Sequence, residues 1–148
     1  MKGVVIIGSG HAGCNTAINL RRAGFSESIK IFSKENYYPY HRPPLSKKFF
    51  KGDLTEENIL LKNSTFYEDN NIEIHLNTFI SEVDIKNNLI RTTSGDDYGF
   101  SYLVFATGTS SRVFADNMFP GIDFFYLRNI DDVKSCLLYT SPSPRDWL

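Results

Sequence analysis

The residues best placed to do chemistry lie near the start of the chain, in Gly8-Ser9-Gly10-His11-Ala12-Gly13. The Gly-x-Gly-x-x-Gly spacing suits a loop that cradles the pyrophosphate of a dinucleotide. The first glycine permits a tight turn, the second lets backbone approach the phosphates, and the third lets helix and strand pack closely. Free N–H groups around Gly10 to Ala12 and the positive end of a helix dipole then meet the anion. Glu35 lies 22 positions beyond Gly13, where an acid can accept from both hydroxyls of a ribose. His11 is assigned a part through its backbone, not as an acid or base. Cys14 and Cys136, the two cysteines, make neither a disulfide framework nor a metal-ligand pattern, and no catalytic side chain and no metal site are assigned. The loop alone does not distinguish NAD from FAD.

The pattern around the loop supplies the context the motif demands. Gly3 to Ile7 is a continuous, largely β-branched apolar run of the kind buried on both faces of a parallel sheet. Ala12, Ala17, Ile18, Leu20 and Ala23 then recur at helical spacing, and Gly24 stands where a helix C-terminal glycine belongs. Ile29, Ile31 and Phe32 form a second strand, completing a β-α-β unit. Pro39, Pro43 and Pro44 forbid regular helix in the Tyr-rich stretch that follows, and a short helix is expected from near Ser46. Ser64 to Asn70 reads as a helix with Phe66 and Tyr67 inward. Ile72, Ile74 and Leu76 alternate as a strand, as do Ile80, Val83 and Ile85. Leu89 to Ser94 and Asp97 to Tyr102 read as an antiparallel hairpin, and Leu103 to Ala106 as a buried strand ending in Thr107-Gly108.

Composition narrows the class. The chain has 148 residues, 41% hydrophobic and 22% charged, with a formal net charge of -1, so no basic nucleic-acid footprint exists. Val4 to Ile7 is too short for a signal-peptide core or a membrane span, and a cytoplasmic location is expected. A helix starting at Ile130 is expected to stop unfinished at Ser135. From Cys136 to Asp146 the sequence matches the translation of a transposase-type sequencing adaptor, with Trp147 and Leu148 following. Residues 136–148 are therefore expected to be a non-native tail, and residues 1–135 the N-terminal part of a dinucleotide-binding domain.

Tyr38-Pro-Tyr-His-Arg-Pro-Pro-Leu-Ser-Lys47 resembles a segment shared by the ferredoxin and rubredoxin reductase flavoproteins of the pyridine nucleotide–disulfide oxidoreductase superfamily. Leu103-Val-Phe-Ala-Thr-Gly108 resembles that family's second fingerprint, and Pro120-Gly121 with Tyr126-Leu127-Arg128 its next landmark. The resemblance implies an α/β, three-layer FAD domain of the glutathione-reductase type: a parallel sheet with helices and an antiparallel β-meander, here truncated before the NAD domain. It implies that Gly8, Ser9, Gly10, His11, Ala12 and Gly13 line the FAD pyrophosphate and that Glu35, with Lys34 beside it, holds the adenosine ribose. Arg42 and Lys47 would lie along the flavin, Ile80 would meet the adenine end through its backbone, and Thr107, Gly108 and Arg128 would complete that wall. Lys34 stands where the family usually has an acid, so the ribose contact falls to Glu35, and Ser111 replaces a common proline.

The segment after the second strand holds none of the redox cysteines that the superfamily's disulfide reductases place there. The implied enzyme takes hydride from NAD(P)H onto FAD and passes electrons to a ferredoxin- or rubredoxin-type iron–sulfur protein, although this portion alone is expected to be inactive. Rival readings are an NADH oxidase or monooxygenase of the same fold, a flavin-bearing signalling protein like apoptosis-inducing factor, and a bare NAD-binding domain. The proline-rich loop argues against the first. The chain opens directly on its first strand with no targeting segment, which favours bacterial metabolism over the second.

Overall fold

The computed structural model describes residues 3–115 and 118–140. Its contacts divide the chain into two units, Met1–Tyr40 with Leu60–Gly108, and His41–Ile59 with Thr109–Leu148.

In the first unit, β1 (Val4–Ile7), β2 (Ile29–Phe32), β3 (Ile72–His75) and β7 (Tyr102–Phe105) form a parallel sheet in the order β3-β2-β1-β7. Helices α1 (His11–Arg22) and α2 (Ser64–Asp69) and the meander β4 (Ile80–Asp84), β5 (Leu89–Thr92) and β6 (Asp97–Gly99) complete it. Side-chain alternation explains the layering, because successive residues of a strand point to opposite faces. Val4 and Ile6 join Ile29, Ile31 and Ile72 in a core with Cys14, Ala17 and Ile18 of α1 and Tyr67 of α2. Val5 and Phe32 meet Ile90 and Phe100 instead, with Val83, Tyr98 and Leu103 packed around them. Each fully buried isoleucine contributes about 1.5–3 kcal/mol. Helices, parallel sheet and meander are thus the three expected layers.

Local signals place the ends. Gly24, at φ +85°, follows α1 with Phe25 N–H donating to Leu20 O and Gly24 N–H to Arg21 O, a glycine-terminated helix end. Asn63 Oδ1 caps α2 by accepting from Phe66 N–H at 3.0 Å. The observed strands are shorter than the expected ones: β4 stops at Asp84, leaving Ile85 exposed, and Tyr102 belongs to β7, not to the hairpin.

The second unit corrects two expectations. A 3-10 helix occupies Pro43–Ser46 and ends where a helix was expected to begin; its prolines fit the first turn, where their missing N–H groups are not needed. Another short 3-10 helix spans Glu57–Ile59. Helix α3 runs over Ile130–Thr140 and does not stop at Ser135. Asn129 Oδ1 accepts from Asp132 N–H at 2.8 Å, while Asp132 Oδ2 accepts from Asn129 N–H at 3.0 Å, a reciprocal cap that starts it firmly. Ile130 and Val133 are buried, and Lys134 pairs with Glu56 at 2.6 Å. No glycine or proline interrupts residues 136–140, so the helix continues until the approach to Pro142. The remainder of the expected tail, 141–148, lies outside the described residues.

Candidate dinucleotide-binding site

Strand β1 lies between β2 and β7, and the loops leaving the carboxyl ends of all three are neighbours. Ligands of open α/β sheets bind at such a point, where crossovers depart in opposite directions. Registers are level there: Ile7 pairs with Phe32 on one side and Phe105 on the other. The loop Gly8–Gly13 therefore leaves β1 beside Ser33–Glu35 and Ala106–Gly108. Gly8 N–H donates to Phe32 O at 2.9 Å, and Ala106 N–H to Ile7 O at 2.8 Å.

The three glycines meet different surroundings. Gly8 has φ +109°, and a Cβ on it would stand 2.2 Å from Ala106 O. A Cβ on Gly13 would come 2.0 Å from Gly8 O and 3.2 Å from Ile6 Cγ2, so close passage of helix over strand requires glycine there. A Cβ on Gly10 would meet no heavy atom beyond its immediate chain neighbours within 4 Å. Packing within the protein therefore does not demand glycine at that position. Gly10 is also the N-cap of α1, with extended backbone, no side-chain cap and no acid in the first turn. The positive end of this 12-residue helix thus carries no acid of its own first turn.

Beside the loop, Ser9 Oγ donates to Ser33 Oγ at 2.7 Å, and Ser33 Oγ also accepts from Glu35 N–H at 3.2 Å. The Tyr40 hydroxyl donates to Glu35 Oε2 at 2.5 Å. Ile80 opens β4 with its side chain against the meander core. That strand is approached through Asn77 N–H to Glu35 O at 3.0 Å and Thr78 N–H to Ser33 O at 2.7 Å. Gly8 to Gly13, Glu35, Ile80, Thr107 and Gly108 thus all belong to the first unit. Nothing in residue type marks Ser33 or Tyr40 in advance. The available signals are Tyr40's place in the Tyr38–Lys47 segment and Ser33's place directly after β2.

Arg42, Lys47 and Arg128 belong to the second unit. Arg42 precedes the 3-10 helix and donates through Nη1 to Arg128 O at 2.8 Å, while Arg128 Nε donates to Thr109 O at 3.1 Å. Lys47 closes that 3-10 helix, its N–H on Pro44 O and its side chain exposed. The proline frame brings two of the three cations into one hydrogen-bonded group.

Cys14 is fully buried in α1 with Sγ 3.2 Å from Tyr67 Oη. Burial pushes its thiol pKa up, opposed by smaller effects of the Tyr67 hydrogen bond and Lys62. Burial likewise raises the Tyr67 phenol, reinforced by Cys14. A thiol kept neutral this way is packing, not a nucleophile. Among the described residues no group of His, Cys, Asp and Glu could hold a metal ion, and no helix is long and apolar enough to cross a membrane.

The sequence profile of the family described as Pyridine nucleotide-disulphide oxidoreductase matches residues 2–144. A curated relative, rubredoxin-NAD(+) reductase of Pseudomonas putida, is 39% identical over 132 residues, which are 89% of this chain and 34% of that protein. Among solved structures, a ferredoxin reductase of Rhodopseudomonas palustris superimposes with a TM-score of 0.83 at 30% identity, covering 92% of this chain and 33% of its own. A covalent putidaredoxin reductase–putidaredoxin complex gives 0.82 at 27% identity, covering 93% and 34%. The chain spans about a third of the length of the curated relatives it matches.

Proposed function

The chain belongs to the pyridine nucleotide-disulphide oxidoreductase family, and from that premise we propose that it forms the FAD-binding portion of an NAD(P)H-dependent ferredoxin or rubredoxin reductase. The observation that carries this reading is the space at Gly10, open to a Cβ, set against a helix N-terminus with no side-chain cap and no acid in its first turn. Gly8, Ser9, Gly10, His11, Ala12 and Gly13 would hold the pyrophosphate, and Glu35 the adenosine ribose. Ile80, Thr107, Gly108 and Arg128 would border the adenosine, and Arg42 and Lys47 would lie along the flavin. Bound FAD supplies exchange between a two-electron hydride donor and a one-electron carrier. The protein's part is to fix the dinucleotide and keep thiols out of the route, which suits a Cys14 buried against Tyr67.

The whole enzyme would pass electrons from NAD(P)H to a small iron–sulfur protein, as the names of its relatives suggest, and a cytoplasmic location goes with this reading. The domain bounds that go with this reading are 1–135 for the FAD-binding part and 136–148 for a non-native tail.

The test is Gly10→Val in the full-length protein loaded with FAD. The parent should retain oxidised-flavin absorbance through gel filtration and reduce a ferredoxin with NADH after its thiols are alkylated. The variant should fold, by circular dichroism, and emerge without flavin. A fully flavinylated Gly10→Val protein would overturn the dinucleotide assignment; activity abolished by alkylation would overturn the thiol-free route.

A further inference from the structure

We infer that Ser33 and Tyr40 are positioning residues that tie the ribose acceptor to the phosphate loop, so that both grip the adenosine diphosphate moiety as one preset unit. The inference rests on the proposed role of Glu35. Its observation is a continuous hydrogen-bonded chain, Ser9–Ser33–Glu35–Tyr40, running along the carboxyl ends of β1 and β2.

Each link is held from outside the chain. Ser33 is 2% exposed; its N–H donates to His75 O at 2.9 Å and its carbonyl accepts from Thr78 N–H at 2.7 Å. With its backbone clamped between the end of β3 and the approach to β4, its hydroxyl has a fixed origin. That one oxygen receives both the Ser9 hydroxyl of the loop and the Glu35 backbone N–H. It thereby sets the spacing between the group that meets phosphate and the residue that meets ribose. Tyr40 is 4% exposed, makes an antiparallel bridge to Leu60, and packs edge-on against Tyr37 with ring centres 6.3 Å apart. Its phenol cannot swing freely, so the bond to Glu35 Oε2 orients the carboxylate. A carboxylate has about four lone-pair sites, so the Tyr40 bond does not by itself preclude accepting from ribose hydroxyls.

A glutamate otherwise loses rotamer freedom when it binds, and holding it ready removes that cost. Tyr40→Phe keeps the ring and removes only the orienting hydroxyl. Ser33→Ala removes the shared acceptor and frees both the Ser9 side chain and the Glu35 turn.

The test titrates ADP and 2′-deoxy-ADP into the flavin-free full-length protein by calorimetry, with circular dichroism as the check on folding. The unsubstituted chain should prefer ADP. Tyr40→Phe should lower that preference roughly three- to tenfold while leaving 2′-deoxy-ADP affinity within about twofold. Ser33→Ala should weaken both ligands, because loop and acid come adrift together, and Ser33→Thr should restore binding. A purely structural role would weaken both ligands equally in Tyr40→Phe, and that result would overturn the inference. So would retention of full preference in both Tyr40→Phe and Ser33→Ala. If the unsubstituted chain showed no preference, or took up neither nucleotide, the Glu35 reading itself would fail and this inference with it.

Discussion

Gly10 and Gly13 illustrate how one residue type does two unrelated jobs three positions apart. At Gly13 the obstacle to a side chain is the Gly8 carbonyl, a backbone atom that cannot turn aside. Gly13→Ala should therefore cost about 1–3 kcal/mol of stability, read as a lower denaturant midpoint with unchanged slope. Gly10→Ala should leave the midpoint within about 0.5 kcal/mol, because its Cβ meets no heavy atom beyond its immediate chain neighbours within 4 Å. Equal losses in the two variants would sink this division between packing and binding. The motif is legible in sequence, but the division is not: it depends on which atoms the crossover helix brings against Gly8. Ser33 and Tyr40 are illegible for the same reason. A serine after a strand and a tyrosine among tyrosines acquire their part only when β3 and Leu60 hold them in place.

Strand β3 carries a pH dependence of its own. His75 stacks on Phe32 with ring centres 4.5 Å apart and meets the edge of Tyr98 at 5.1 Å. Its Nε2 makes no aligned hydrogen bond, although Glu73 Oε1 is 2.6 Å away. Burial holds its pKa below the ordinary 6.5, helped by Lys30 and opposed by Glu73. The folded state thus favours the neutral ring. The stability this confers is complete above pH 6.5 and is lost as pH falls from there through the lower folded value. Glu73 extends the loss further into acid: burial raises its pKa, but Lys30 and His75 outweigh that and hold it below 4.5. Between pH 7 and 5 the denaturant midpoint should fall, and His75→Phe should flatten that fall. An unchanged slope in the variant would remove His75 from the account. Other elements were readable in advance to different degrees. Strand β1 and helix α1 declare themselves through a continuous apolar run and a 3.6-residue period. The length of α3 does not, because its continuation through Thr140 rests on a firm cap at Asn129 and on packing of Ile130 and Val133, not on periodicity in residues 136–140.

At the scale of the whole chain, the tail gives a direct prediction. Leu138 is 80% and Tyr139 65% exposed, while Tyr139 donates to Asp123 at 2.8 Å and its ring lies 5.0 Å from Phe125. Ending the chain after Ser135 should leave the thermal midpoint and nucleotide binding unchanged within error. A loss of several degrees would show that the last turn of α3 is native packing. The order β3-β2-β1-β7 bears on a different matter, the timing of synthesis. Strand β1 pairs with β2 after one short crossover, but Val4 meets its other partner, Tyr102, across 98 positions of sequence. At about 5–20 residues per second, a ribosome delivers β7 on the order of 5–20 s after β1. Closing so distant a pairing is also slow in itself, since the chain is ordered before the contact can reward it. Throughout that interval one edge of β1 shows bare N–H and C=O groups and an apolar side, a template on which another nascent copy could pair. The strand that leads into the phosphate loop is made first and sealed last, so slowed translation should prolong that exposure and aggregate more of this protein than brisk translation does.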